Sequence, residues 1–428
     1  MTHGTATGLR PLRRSGAAAR TLSAVLALGA VLAVAGCGTA GANARTANAD
    51  ASGDGVLKIG VILDNTGGQD FLNESELAAV KLAVQQANDA GGLKGKPVEL
   101  LPAQAGEDSA AQAKALAAHH VDAVIGPTDS SHAPAAIDIL SRSQAVLISP
   151  ANTAAGLSTY RSGGYYFRTA PSETAQATAL VNLAKDSGRR TVAVLHEEGP
   201  YGQQVGQAVR EAIAAAALTA GADVEVKAGA AQAAAGQAAG ADAVVVVARD
   251  GAAALLSALN GAGVPGEKIL LSDGAVAPYG PALAQGALSA ARGVLPGRFP
   301  SPAFTARLLA VDPKLKDLSF AAESFDATLL AILAADAADD DGGASIAANL
   351  IAVSGGGSPN GQPVKCSNFI ACTGALKQGK AIDYEGESGT VNFNRNGDIT
   401  VANYEVYSYG DDNKPKLTGT QTAVRAGS

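Results

Sequence analysis

The chain has no tryptophan, one methionine, three cysteines and five histidines in 428 residues, and aromatic side chains make up only 4% of it. With 47% hydrophobic residues and so few rings, the core must be built from alanine, valine, leucine and isoleucine. Scarce histidine and cysteine narrow the chemistry: apart from Cys37 only Cys366 and Cys372 remain, with no histidine beside them, a poor zinc set. No Walker sequence is present to cradle a nucleotide phosphate. Positive charge is also short. Lys and Arg total 32 against 39 Asp and Glu, and no basic stripe exists to neutralise phosphates, which argues against nucleic acid as a partner. Beyond the N-terminal segment, no apolar run reaches the roughly 18 residues of a membrane span.

What is present begins with an export signal. Arg10, Arg13, Arg14 and Arg20 form a basic region, residues 21–35 an apolar one too short to span a membrane stably, and small residues lead to Cys37. The run Val34-Ala35-Gly36-Cys37 resembles a bacterial lipobox, which implies removal of residues 1–36 and acylation of Cys37. Losing the four arginines takes the net charge from −7 to about −11. Residues 37–55, mostly Gly, Ala, Thr, Asn, Ser and Asp, predict a flexible tether. The roughly 370 residues left suffice for two domains. In an exported protein Cys366 and Cys372 are expected to pair, a short loop closure that contributes about 2 kcal/mol and pins a loop rather than the fold.

From residue 56 short apolar runs alternate with helical patterns. Strands are expected at 56–63, 98–101, 121–125 and 145–148, with helices at 74–90, 109–119 and 132–142 between them. The pattern then restarts, with strands at 191–195, 223–227, 243–248 and 269–271 and helices at 174–186, 201–218 and 251–260. Two successive sets of βα units predict an α/β protein of two similar lobes, each a parallel sheet flanked by helices. Helices at 319–335 and 345–353 then suggest a return to the first lobe, before alternating β at 389–393 and 399–409 around a turn at 394–397.

Several motifs invite chemical readings. Gly261 to Gly266 spells G-x-G-x-x-G, but it follows a helix and precedes a strand, so it reads as a helix end and turn, not a dinucleotide site. Asp336, Asp339, Asp340 and Asp341 miss the EF-hand spacing and read as a solvated helix end. His196, Glu197 and Glu198 lack a second histidine at ligand spacing. Ser149, at the end of a buried strand before Pro150, lacks the glycines of a nucleophile elbow. Two strand ends stand out instead, Ser149 to Thr153 and Gly126 to Ser131, because open α/β sheets place ligands there. Ser130 or Ser131 either caps the helix that follows or joins its free N–H groups in holding a carboxylate.

The runs Leu57 to Leu63, Leu77 to Leu93, Val124 to Pro127, Ile148 to Ala151, Tyr166 to Pro171, Val194 to His196, Tyr201-Gly202 and Ile382 to Gly389 resemble, in order and spacing, the branched-chain amino-acid-binding proteins of ABC transporters. The resemblance covers about 56–409 and implies the type I periplasmic binding protein fold, two Rossmann-like lobes joined by a three-segment hinge. Residues 56–170 and 297–398 would form the N-terminal lobe, and 171–296 and 399–428 the C-terminal one. It further implies an amino acid or related carboxylate as ligand, a permease with its ATPase as partner, a monomer on the outer membrane face, no cofactor and no metal. Carried over by position, Ser130 and Thr153 would bind the ligand carboxylate, and the Ala151 carbonyl and Thr153 hydroxyl would face its ammonium. Asp273 would be the anionic partner, Tyr201 a side-chain or lid contact, and Phe325 an aromatic near the hinge.

Two departures matter. The loop 64–70 is more polar than the family's, and Arg249-Asp250 stands where relatives place aromatic or glycine residues. An Arg249 facing the cleft would favour an acidic or amide side chain; an Arg249 paired with Asp250 would lie on the surface. Two rival readings remain, an exported α/β hydrolase, which would require a nucleophile and base in one cleft, and a receptor that senses ligand without transport.

Overall fold

The computed structural model describes residues 43–47, 49–66, 70–106, 108–356 and 362–424. Cys37 and the signal segment lie outside these, as do Gly67, Gly68 and Gln69 of the polar loop.

The first sheet is built from β1 (Lys58–Val61), β2 (Glu99–Leu100), β3 (Ala123–Ile125), β4 (Val146–Ser149) and β5 (Tyr166–Arg168), all parallel and ordered β2-β1-β3-β4-β5. The helices α1 (Phe71–Asp89), α2 (Ser109–Ala118) and α3 (Ala133–Arg142) connect its early strands. The second sheet repeats this order. After α4 (Gln176–Asp186), β6 (Thr191–Glu197), α5 (Pro200–Ala215), β7 (Thr219–Val226), α6 (Ala231–Ala238), β8 (Ala243–Val247), α7 (Ala252–Gly261), β9 (Ile269–Leu271) and β10 (Arg292–Pro296) assemble as β7-β6-β8-β9-β10.

The chain then returns to the first lobe with α8 (Pro302–Val311), α9 (Ala321–Ala338) and α10 (Gly343–Val353), followed by β11 (Val364–Cys366), α11 (Phe369–Leu376) and β12 (Ile382–Tyr384). Finally β13 (Val401–Tyr409) and β14 (Pro415–Val424) add antiparallel to β10, completing a seven-stranded sheet. Three crossings therefore join the lobes, near 169–175, 296–301 and 398–401. They enclose a cavity of about 10 Å3 lined by Thr169, Gly297, Ile399 and Val401, room for a single water.

Strands with no polar alternation work because both faces are covered. In β8, Val244 and Val246 face one apolar cluster while Val245 and Val247 face another, and none is exposed. α9 is apolar all round for the same reason, with residues 321–335 buried. It buries two carboxylates, Glu323 and Asp326, and Asp326 accepts from the Tyr384 hydroxyl (2.7 Å), the Glu387 and Ser388 N–H groups (2.9 and 2.8 Å) and the Ser388 hydroxyl (2.5 Å).

Three expectations need correction. Residues 389–393 form isolated bridges and no strand. Asp340 and Asp341 are not a solvated helix end: both are buried, and they accept N–H groups from Ser52, Gly53 and Gly55 at 3.0–3.2 Å. The same bonds mean that the described part of the expected tether is docked. Residues 44–46 form a single 3-10 turn with Ala44 buried, and the Arg45 guanidinium lies 4.8 Å over the Phe167 ring. Small polar residues predict flexibility only when nothing receives their backbone donors, and here two buried carboxylates do. Cys366 and Cys372 form a disulfide that ties β11 to α11.

Candidate ligand-binding cleft

In each sheet the order reverses beside the first strand of the lobe, so the exits of β1 and β3 in one lobe, and of β6 and β8 in the other, open the crevice where such folds bind ligands. The N-terminal wall starts at Gly126, whose φ of +109° requires glycine and where a Cβ would stand 2.4 Å from the Ile62 carbonyl. Past it, the Asp64 carboxylate accepts the N–H groups of Thr128 (2.8 Å) and Asp129 (3.1 Å) and pairs with His132 Nδ1 at 2.9 Å. Backbone donors past the exit of β3, in the loop ahead of α3, are therefore taken by the protein's own acid. Behind Asp64, Glu76 accepts from the Thr128 hydroxyl at 2.8 Å, and burial raises its pKa to about 8.

The exit of β4 is held from inside. Ser149 is fully buried, donates to the Pro127 carbonyl at 2.8 Å and accepts the N–H groups of Ala151 and Asn152. It shapes the turn, and its proton is committed to a carbonyl, not a base. Asn152 locks the two strand ends together. Its amide donates to the Pro127 and Thr128 carbonyls at 3.1 and 2.9 Å, and its oxygen accepts from the Tyr166 hydroxyl at 3.2 Å. Arg168, 0% exposed, then pairs with Asp398 at 2.7 Å and donates to the Asn152 and Ala154 carbonyls at 3.2 and 2.9 Å.

This scaffold brings Ser130, Ala151 and Thr153 together. The Ser130 oxygen accepts from the Thr153 and Ala154 N–H groups at 3.2 and 3.3 Å. A hydroxyl has two lone pairs and one proton, so with both lone pairs engaged Ser130 is left as a donor.

The C-terminal wall brings Tyr201, Arg249 and Asp273 together. Asp273 Oδ1 takes three donors: Gln176 Nε2 (2.9 Å), its neighbour's N–H at Gly274 (2.8 Å) and the Tyr201 hydroxyl. Burial and the adjacent carboxylate push the Tyr201 hydroxyl far up, so it stays a donor. The Arg249 guanidinium lies 3.7 Å from the centroid of the Tyr201 ring and pairs with Glu173 Oε2 at 3.4 Å, not with Asp250. Gly274 makes room for this stack: a Cβ there would meet Arg249 Cγ at 2.6 Å and the Tyr201 oxygen at 3.0 Å. Phe325 does not join the cleft. It is 2% exposed and packs against Phe304 in the core at 5.4 Å between ring centroids, which leaves no face for a ligand.

The family model for periplasmic binding proteins matches residues 56–379. The chain belongs to that family. Its members are binding proteins, not enzymes, and work outside the cytoplasm. The chain is 29% identical over 167 residues to the Leu/Ile/Val-binding protein homolog 3 of Brucella melitensis, a match covering 38% of this chain and less than half, 45%, of that protein. It is 26% identical over 353 residues to the chemotactic signal transduction system substrate-binding protein BasB of Halobacterium salinarum, covering 77% and 80% of the two chains. Among solved structures, the substrate-binding protein LivJ of Streptococcus pneumoniae in complex with isoleucine superposes with a TM-score of 0.55 at 21% identity, covering 86% of this chain and 100% of that one. A solute-binding protein of R. palustris in complex with 4-hydroxybenzoate does so with a TM-score of 0.58 at 16% identity, covering 86% and 96%.

In this periplasmic binding protein the sequence missed Glu173, Gln176 and Asp64. Glu173 sits on the first crossing, where its N–H donates to the Thr153 carbonyl (2.6 Å) and its Oε1 accepts from Ala155 N–H (3.0 Å) while its other oxygen meets Arg249. It thus connects both walls. Nothing in a single sequence marks such a bridge, because its partners lie on separate elements. Asp64 did leave a signal, the unusual polarity of its loop.

Proposed function

We propose that the chain is the lipid-anchored receptor of an ABC importer, which captures a small amino acid, branched-chain or related, between its lobes and presents it to a permease. Cys37 carries the anchor, the receptor acts as a monomer, and no bond is made or broken. The observation that supports this best is the asymmetry of Asp273: three donors fix Oδ1, and none of those bonds uses Oδ2. A carboxylate so oriented offers one fixed oxygen to a ligand ammonium. Opposite it, the spare Ser130 proton and the Thr153 hydroxyl suit the ligand carboxylate. Each such charge-assisted bond contributes about 1.5–3 kcal/mol net once closure removes water. Closure also gives a permease a geometry that only the ligand stabilises.

The likeness to a chemotactic binding protein favours one second reading, in which the same capture feeds a sensor and not a permease. Calorimetry of refolded, ligand-stripped protein against the common amino acids, benzoate and 4-hydroxybenzoate tests the ligand class. An amino acid should bind, and Thr153→Ala and Asp273→Ala should each weaken it at least tenfold, about 1.4 kcal/mol. Unchanged affinity in both variants means that the site is misplaced, and binding of the aromatic acids alone removes the amino-acid reading. Capture of purified permease by liganded receptor in a bilayer separates transport from sensing.

A further inference from the structure

Arg249 stands at the exit of β8, beside the strand-order reversal of the C-terminal sheet. Its backbone N–H is fixed by Glu197 Oε2 at 2.8 Å, and its guanidinium lies flat on the Tyr201 ring. Tyr201 in turn donates to Asp273, so a positive charge is held one ring away from the proposed ammonium acceptor. This guanidinium is under-used. It has five N–H donors arranged to meet two oxygens at once. Its one hydrogen bond among the described residues is the 3.4 Å contact to Glu173 Oε2. Its side chain is 50% exposed, whereas that of Glu173 is 6% exposed, so a molecule entering the cleft reaches the arginine and not its partner. Glu173 stays with the N-terminal wall through Thr153 and Ala155 if the arginine turns away.

We propose that Arg249 selects the ligand's side chain and that the preferred ligand is an amino acid with a second carboxylate, of the aspartate or glutamate type. The inference rests on the amino-acid reading above. With the ammonium on Asp273, a side-chain carboxylate of that length meets the stacked guanidinium and replaces one long contact with a two-pronged one. A wholly aliphatic side chain would leave those donors without a partner in the closed, dried cleft, which is costly.

The test is calorimetry of ligand-stripped protein with L-glutamate, L-aspartate, L-glutamine and L-leucine, on wild type, Arg249→Ala, Arg249→Lys and Glu173→Gln. One of the two acids should bind wild type about tenfold or more tighter than glutamine and leucine. Arg249→Ala should lose that preference while changing leucine affinity less than about threefold, and Arg249→Lys, which keeps the charge but not the fork, should recover part of it. Glu173→Gln, which keeps an acceptor for Ala155, should tighten the acid by releasing the guanidinium. Leucine binding tighter than both acids overturns the inference and leaves the amino-acid reading standing. Equal weakening of all four ligands by Arg249→Ala also overturns it, since the residue would then hold the carboxylate common to them. If none of the four binds any variant, the inference falls, and the amino-acid reading falls with it only if the remaining common amino acids also fail to bind wild type.

Discussion

Both lobes wind their first five strands in the same order, and both use one of their own acids at the strand-order reversal. Asp64, beyond β1, accepts the N–H of Thr128 beyond β3; Glu197, at the end of β6, accepts the N–H of Arg249 beyond β8. Backbone donors at this place in an open sheet are commonly left for a ligand. Here the protein takes them, and in the proposed reading the ligand groups stand one strand further, at Thr153 after β4 and Asp273 after β9. What surrounds those exits then differs. The N-terminal exit is built from buried groups, Ser149, Asn152 and Arg168, all 0% exposed. The C-terminal exit carries a half-exposed arginine lying on a tyrosine. Damage to the first wall should therefore appear as lost stability, and damage to the second as lost or altered binding.

The largest effect tests the buried side. Arg168→Met keeps the volume and removes the charge that pairs with Asp398 and gathers the Asn152 and Ala154 carbonyls. Breaking a buried pair from one side costs about 3–5 kcal/mol, so urea unfolding should show a loss of that size. Asn152→Ala should follow at about 2 kcal/mol, because it strips the Pro127 and Thr128 carbonyls of a buried donor and the Tyr166 hydroxyl of its acceptor. If Arg249→Ala cost as much as either, the contrast between the walls would be lost; its expected cost is within about 0.5 kcal/mol.

The same contrast decides how much could be read from the chain. Two sets of βα units were legible because apolar runs and three- and four-residue spacings recur through most of 56–271. Less legible were α6 and α8: α6 is almost wholly alanine and glutamine, and α8 follows a proline-rich loop. β14 is largely exposed threonine, lysine and glycine that pairs only because β13 offers an edge. Of the proposed site, Ser130, Thr153, Tyr201 and Asp273 lie just past the exits of β3, β4, β6 and β9, as the sequence pattern suggests. Phe325, expected as an aromatic near the hinge, lies two residues from Glu323 of the hinge cavity but is buried against Phe304, which a local pattern does not distinguish from an open position. Asn152 had no role in the sequence at all, because its three partners lie on other elements: Pro127 and Thr128 past the exit of β3, and Tyr166 at the start of β5.

A pH scan sharpens the comparison further. Burial raises Glu76 and Glu323 to about 8, Asp122 to about 7 and Asp326 to about 6, and all four belong to the N-terminal lobe. An acid raised on folding binds its proton more tightly in the native state, so the native state is favoured at low pH. Stability should fall as pH rises from about 5 to 8, by at most about 1.4 kcal/mol per pH unit for each group. Glu76→Gln, which can still accept from Thr128, should lose less melting temperature than wild type between pH 5 and pH 8.5. An identical slope in the variant would mean that Glu76 is ionised in the native state.

A second small effect on stability probes the C-terminal wall. Tyr201→Phe keeps the ring under Arg249 and removes the hydroxyl that donates to Asp273 and accepts from the Ser272 hydroxyl at 3.0 Å. Asp273 retains Gln176 and the Gly274 N–H, so the cost in unfolding should stay near about 1 kcal/mol. Affinity should change more than stability, because a carboxylate held by two donors in place of three samples more orientations and offers the ligand ammonium a less fixed oxygen. Calorimetry and thermal melts on the same preparation distinguish the two quantities. Equal losses in both would show that Tyr201 supports the fold of the C-terminal lobe, as Asn152 supports the other, and would erase the difference between the walls.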